Sequence, residues 1–290
     1  MKVIEYFIRP TNGSKTDLIG CVPSMIIANF EDHRRMRHTF APAFSDRVLK
    51  AQEPMFHKHV DIMLAKIRDL VMRGDPIDMN VMLNCAAYNI MGDLTFGRSR
   101  GLLENIEYSH WLKTIIRKLK RVAATLLAGV IYYLLPNPST LNRVADEIHT
   151  SFTNTESFTF ERLGGLRYLN ACLQEALRVY PPLPIGVARV VPPGGSPPLN
   201  FRHPDAFVPE RWLDGHPTYR DDNRECLQPF SVGSRNCIGQ NMARHEMRLI
   251  LAKLLSAFRL GALRGEQRLG GPEDVRSVGE ETPDVPNKGS

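Results

Sequence analysis

The sequence predicts a mainly α-helical chain with one small β element. Three observations predict it. Apolar residues recur at helical spacing through most of the first 180 positions. Prolines then crowd the stretch from Pro181 to Pro229, with Gly194 and Gly195 among them, and leave room for one short strand. A last apolar run, from about Gly239 to Leu260, is long enough to be a helix and too long for a strand. With 290 residues and 43% hydrophobic content the chain can bury one large core. The expected organisation is a single domain over residues 1–260. Residues 261–290, rich in Gly, Glu, Asp, Arg and Pro without apolar periodicity, read as a disordered tail.

In chain order, the first expected helix is capped by Asp32, includes His33-Arg34-Arg35-Met36-Arg37 and is broken by Pro42. A second starts near Asp46. It carries Val48, Leu49, Phe56, Val60, Met63, Leu64, Ile67 and Leu70 on one face, and ends at Gly74-Asp75-Pro76. Asp78 to Phe96 reads as a strongly buried helix stopped by Gly97. Further helices are expected over Ile106–Leu119, Ala123–Leu135, Pro138–Phe152 and Leu166–Tyr180. The last of these stops at Pro181-Pro182, because the first proline forces Tyr180 out of helical geometry. The one strand is Gly186–Val191.

Composition excludes several classes. The net charge of +6 comes from scattered Lys and Arg rather than a basic face, so no nucleic-acid partner is expected. The five cysteines are odd in number and none forms a C-x-x-C pair, which argues against a disulfide framework or a structural zinc. His57 and His59 lie two apart on a helix, face different ways and form no chelate. Met1 to Pro10 contains Lys2, Glu5 and Arg9, so no membrane anchor is expected there. Val122 to Leu135, behind the basic Arg117 to Arg121, is the most lipid-like stretch. It falls short of the about 20 residues that span a bilayer and reads as a buried core helix.

Phe230-Ser231-Val232-Gly233-Ser234-Arg235-Asn236-Cys237-Ile238-Gly239 fits the pattern F-x-x-G-x-R-x-C-x-G. That pattern is the cysteine-ligand signature of the cytochrome P-450 family, and the chain resembles its filamentous-fungal microsomal members. The resemblance implies a cytochrome P-450 fold, haem b as cofactor, and Cys237 as the axial thiolate to iron. A thiolate pushes electron density toward the iron and favours O–O cleavage. It must therefore be held deprotonated, and a site just before the last helix offers the positive end of the dipole. Gly233 would allow the tight bend and Gly239 a close backbone approach to the macrocycle. Arg235 would meet a haem propionate, and Phe230 would shield the sulfur.

Other motifs follow in the family's order. Glu175-Ala176-Leu177-Arg178 matches E-x-x-R, and Arg211 in Pro209-Glu210-Arg211-Trp212 matches the third member of a Glu-Arg-Arg cluster. Arg189 falls where the family places a propionate-binding arginine on a strand. His33 and Arg37 match W/H-x-x-x-R, which serves the same task; the competing reading is an ordinary basic helix start. The implied reaction inserts one oxygen atom into a small organic substrate, using dioxygen and electrons from an NADPH-cytochrome reductase. Family members usually sit at the endoplasmic-reticulum membrane.

The pattern also fails in places. Where the family's oxygen-side helix carries A/G-G-x-D/E-T, this chain reads Lys118-Leu119-Lys120-Arg121-Val122, so both acid and alcohol are absent and no catalytic residue is identifiable. Asn105 to Arg117 is too short for the helices that roof the substrate cavity. A second gap lies between Gly195 and Ser196. Because each loss sits between well-matched segments, the expectation is a family member with internal segments missing. The alternative is a non-catalytic haem-binding remnant, or the non-functional product of a truncated gene.

Overall fold

Caps and prolines decide where the helices begin. The computed structural model describes residues 25, 28–97, 122–154, 157–181 and 200–260. Helix α1 (Phe30–Phe40) starts at Asn29, whose side chain accepts the Asp32 amide hydrogen at 2.9 Å. The cap is thus Asn29 and not Asp32, which sits in the first turn where a negative charge complements the helix dipole. The single helix expected from Asp46 is two, α2 (Asp46–Ala51) and α3 (Glu53–Arg73). Pro54 has no N–H to continue the ladder of α2, so the chain restarts at Gln52. α3 ends on Gly74 at φ 71°, a left-handed position that suits glycine. α4 (Met79–Phe96) is capped by Asp78, which accepts the Val81 amide hydrogen at 3.1 Å.

The remaining helices are α5 (Val122–Leu134), α6 (Pro138–Ser151), α7 (Phe160–Gly164), α8 (Arg167–Val179) and α9 (Gln240–Ala257). α7 was not expected: five residues are too few to show a period, and its signal is the Thr159 cap alone. Two of these helices are capped by carboxylates from elsewhere. Glu147 of α6 accepts the Tyr168 and Leu169 amide hydrogens of α8, both at 2.8 Å, and Glu53 of α3 accepts that of Phe160 at 2.5 Å. The chain is therefore mainly α-helical, as expected. Among the described residues the only β features are single bridge residues at Asp78 and Arg259. The expected helix over Ile106–Leu119, the strand Gly186–Val191 and the tail 261–290 lie outside the described residues.

Two helices organise the core. On α5, Leu126, Leu127, Ala128, Val130, Ile131 and Leu134 are buried, and the helix packs against α4, α8 and α9. The lipid-like stretch is thus a core helix, and no helix among the described residues is long and apolar enough to cross a membrane. At Gly129 a Cβ would stand 2.4 Å from Tyr180 Cδ1, so the end of α8 approaches α5 where only a hydrogen fits. On α9, Met247, Leu249, Ile250, Leu251, Leu254 and Leu255 are buried. This helix touches α2, α3, α5, α6, α7 and α8, so whatever precedes it in the chain is fixed relative to the whole fold.

Two histidines sit at the junction of α2, α3, α7 and α9. His245 Nε2 lies 2.7 Å from Asp46 Oδ1, and its ring stacks on Phe160 at 4.3 Å. His57 Nε2 is 3.8 Å from Glu53, with Asp61 and Lys253 also facing it. Burial pushes both imidazoles below their usual range; Asp46 opposes this at His245, and Glu53 and Asp61 oppose it at His57. The unfolded chain therefore binds more protons than the folded one as pH falls below 6.5, the ordinary histidine value, and folding stability declines there. Asp46, held below the usual carboxylate range chiefly by its hydrogen bond to His245, adds a further loss only at more acidic pH, as it titrates. Urea midpoints should thus fall between pH 7 and pH 5, with a shallower fall in His245→Phe. Equal midpoints at the two pH values would show that these histidines do not carry the effect.

Candidate functional site

The loop from Phe230 to Gly239 is a tight bend anchored at both ends. Phe230 is buried, and its carbonyl accepts the Cys237 amide hydrogen at 2.8 Å, closing the loop. Ser231 at φ 64° and Gly233 at φ 79° make the bend, and residues Gly233–Arg235 form a 3₁₀ turn. Gly233 thus supplies a left-handed residue at no steric cost, while Ser231 carries that strain. Gly239 differs: its φ of −89° suits any residue, and a Cβ there would meet only Phe44 at 3.8 Å. Neither backbone nor neighbours among the described residues require glycine at 239. Cys237 is exposed, two residues before the cap of α9.

Helix α1 lies against this loop. Arg37 Nη1 donates to the Asn236 carbonyl at 2.7 Å, and Nη2 donates to the Asn236 side-chain oxygen, across 199 residues of chain. Arg235 Nη2 donates to the Ala28 carbonyl at 2.8 Å, just ahead of α1. His33 is buried between them, and burial, then Arg235, then Arg37, pushes its imidazole below the usual range. At neutral pH it is a neutral hydrogen-bonding group beside two guanidinium ions. The structure thus brings His33, Arg37, Arg235 and Cys237 into one region, while Arg189 lies outside the described residues.

Behind the loop, Glu175 is fully buried and accepts five N–H groups. Arg178 Nε and Nη2 donate at 2.9 and 2.8 Å, the Val208 amide at 2.8 Å, Arg211 Nε at 3.2 Å and Trp212 Nε1 at 2.8 Å. Arg211 is also fully buried, lies 4.6 Å over the Tyr219 ring, and donates Nη1 to Asp222. Arg178 donates further to the Pro204 and Ala206 carbonyls. The expected trio of Glu175, Arg178 and Arg211 is thus assembled. Sequence reasoning missed Asp222, the second carboxylate that balances the second guanidinium. Its only signal is a place in Asp221-Asp222-Asn223, where neighbouring acids look equally suited.

The cytochrome P-450 family model matches residues 15–129, 122–193 and 197–277. The chain belongs to the cytochrome P-450 family. Its enzymes are haem-thiolate monooxygenases, and its cofactor is haem with a cysteine thiolate ligand. Cytochrome P-450 monooxygenase FUM2 of Gibberella moniliformis is 35% identical, over 81% of this chain and 73% of that protein. Averantin hydroxylase of Dothistroma septosporum is 28% identical, over 82% and 65%. Trichothecene C-4 hydroxylase of Trichoderma arundinaceum is 29% identical, over 82% and 71%. The match to the first runs over 343 aligned positions, more than the 290 residues of this chain, so that relative has internal segments without a counterpart here. The family match itself breaks near residue 122 and between 193 and 197, beside the two gaps read from the sequence.

The residues of this P-450 chain fit haem. An exposed cysteine precedes a long helix, the glycine beside it leaves space, and two guanidinium groups with a neutral imidazole stand along the loop. The other described cysteines do not suit a thiolate. Burial pushes the Cys85 thiol up to about 11, the Cys172 thiol further still, and raises that of Cys226. Removing one partner of a buried ion pair leaves the other uncompensated, at a cost of about 3–5 kcal/mol. Glu175→Gln should therefore destabilise the chain by an amount of that order in urea titration, and Glu175→Gln/Arg178→Met, which leaves the Arg211–Asp222 pair in balance, should recover part. Asp214→Asn, which breaks an ion pair to Arg167 at a 90% exposed carboxylate, should change little. A Glu175→Gln midpoint equal to that of Asp214→Asn would refute the role given to the network.

Proposed function

We propose that Cys237 is the axial thiolate of haem b and that His33, Arg37, Arg235 and Arg189 receive its propionates. In this reading the domain spans residues 1–260, and the chain keeps its family's cofactor site while coupling the oxygenase reaction poorly. The observation that carries the reading is the clamp of α1 on the cysteine loop, through Arg37 to Asn236 and Arg235 to Ala28. A guanidinium has five N–H groups, and Arg37 uses two of them on Asn236, which leaves it donors for a carboxylate. Gly233 sets the bend, Gly239 leaves room, and Phe230 ties the loop to the core. Glu175, Arg178 and Arg211 hold the irregular segment that leads into the loop. Bound haem supplies dioxygen activation, with electrons from an NADPH-dependent reductase. The names of the relatives, an averantin hydroxylase and a trichothecene C-4 hydroxylase, support a small organic secondary metabolite as substrate.

A second reading, a haem-binding chain without productive turnover, is favoured by one specific observation. Lys118 to Val122 stands where the family's acid and alcohol are found, and residues 118–121 lie outside the described ones. Arg121 is permanently protonated, and Val122 has no exchangeable side-chain proton. Positioned acid–base groups contribute typically about 10² to 10⁴ in rate, and their loss falls on proton delivery to dioxygen.

Two experiments test these readings. Cys237→Ala should abolish a thiolate-type carbon-monoxide difference band and Cys172→Ala should keep it, while Ala at His33, Arg37, Arg189 or Arg235 should weaken haem retention by roughly 1.5–3 kcal/mol each. The same band in both cysteine variants would remove Cys237 as ligand. In a reconstituted assay with a reductase and a panel of terpenoid, polyketide and fatty-acid substrates, NADPH consumption should exceed product formation, with hydrogen peroxide making up the difference. Tight coupling of NADPH to oxygenated product would discard the second reading together with the poor coupling given to the first, and show that proton delivery comes from residues other than those missing.

A further inference from the structure

We propose that the cleft between α8, α9 and the run from Arg224 to Ser231 binds a phosphate group, either free or carried by a small organic ester. The cleft has a volume of about 370 Å³, many times the roughly 30 Å³ share of one water, so it can hold a phosphate together with a ring-sized substituent. Among the described residues its two charged lining side chains are both arginines, Arg224 and Arg244, and no carboxylate lines it. Gln174 and Gln240 add neutral amide donors, and Trp212 and Phe230 add apolar walls.

Arg244 is the group that asks for an anion. It is half-buried, and burial alone pushes its guanidinium below the ordinary arginine value, with no neighbouring carboxylate to oppose that. Its contact is with the Phe230 ring, 5.3 Å from the centroid. One turn along α9, Arg248 is also pushed down, by burial first and by the like charge of Arg244 second. Arg248 donates Nε to the neutral side-chain oxygen of Asn170 at 2.6 Å. Two cations thus lie along one helix face, partly withdrawn from water, and Arg244 faces the cleft with only a π-system against it. A desolvated cation without a counter-charge is costly, and an oxyanion that accepts several N–H bonds removes that cost. A phosphate has more acceptor oxygens than a carboxylate and suits two guanidinium groups flanked by amides. Arg224 uses one Nη2 hydrogen on the Leu213 carbonyl at 3.3 Å and keeps the rest of its fork.

This site does not depend on the haem reading, because it is read without iron. The test is isothermal titration calorimetry of the full chain as purified, at neutral pH and constant ionic strength held with sodium chloride. The titrants are inorganic phosphate, phenyl phosphate and benzoate. Saturable binding of a phosphate titrant is expected, weakened about tenfold or more in Arg244→Gln and separately in Arg224→Gln, which lies away from the helical core. Tighter binding of phenyl phosphate assigns the site to an ester, and equal binding assigns it to free phosphate. Absence of saturable binding by either, unchanged affinity in both variants, or benzoate binding as well as phenyl phosphate would overturn the proposal.

Discussion

A carboxylate taken wholly out of water survives only if its lone pairs are filled and its charge is balanced. Glu175 meets both conditions with five N–H donors and two buried guanidinium groups, and much of the fold follows from that arrangement. Four of these donors belong to the side chains of Arg178, Arg211 and Trp212, and the Val208 amide adds a backbone tie. One helix, α8, thereby holds a segment that has almost no regular secondary structure of its own. Residues 200–239 would otherwise be expensive to order, because they contribute few apolar side chains to the core and no ladder of backbone hydrogen bonds. Asp222 closes the charge balance and accepts the Arg202 amide hydrogen at 2.7 Å, so the same network also bends the segment back on itself.

That segment delivers the cysteine loop to the start of α9, the helix with contacts to most of the others. The loop is held from two sides that do not depend on each other. Phe230 pins it to the core, while Arg37 and Arg235 clamp it to α1 and to Ala28 just ahead of it, across 199 and 207 residues of chain. Neither clamp is an ion pair. Each runs from a guanidinium to a carbonyl oxygen. The clamp therefore fixes the position of the exposed Cys237 relative to α1 through hydrogen bonds alone.

How much of this was legible in the sequence depended on distance along the chain. Helices with long apolar stripes, such as the buried α5 and α9, were readable because each carries its own periodic record. Chemistry confined to one short motif was readable too, as with Phe230 to Gly239 and the Glu175–Arg178 pair. The misses are contacts whose partners sit far apart or in irregular text. Asp222 joins Arg211 through a loop with no period, His245 meets Asp46 across 199 residues, and α7 is a single turn known by its Thr159 cap. The Asn29 cap was missed for a different reason, because Asn29 and Asp32 are both good capping residues and only the backbone geometry decides between them. The break at Gln52 was available, since Pro54 announces it, but the continuous apolar stripe outweighed one proline.

The two faces of the proposed cofactor site are built in physically different ways, and this explains how the chain can lose one without the other. The cysteine side is a network of buried charges, caps and a loop closed on itself, drawn among the described residues from 28–51, 170–181 and 200–257. In the proposed reading the dioxygen side falls to α5, whose buried described side chains pack against α4, α8 and α9. A helix buried on most of its surface contributes stability through Leu126, Val130, Ile131 and Leu134 whether or not a proton relay precedes it. Core burial of this kind is set by apolar area and tolerates the loss of polar residues one turn upstream. Folding and cofactor retention therefore place demands on this sequence that oxygen chemistry does not share, and the interrupted family match near residue 122 falls on the side where only chemistry is at stake.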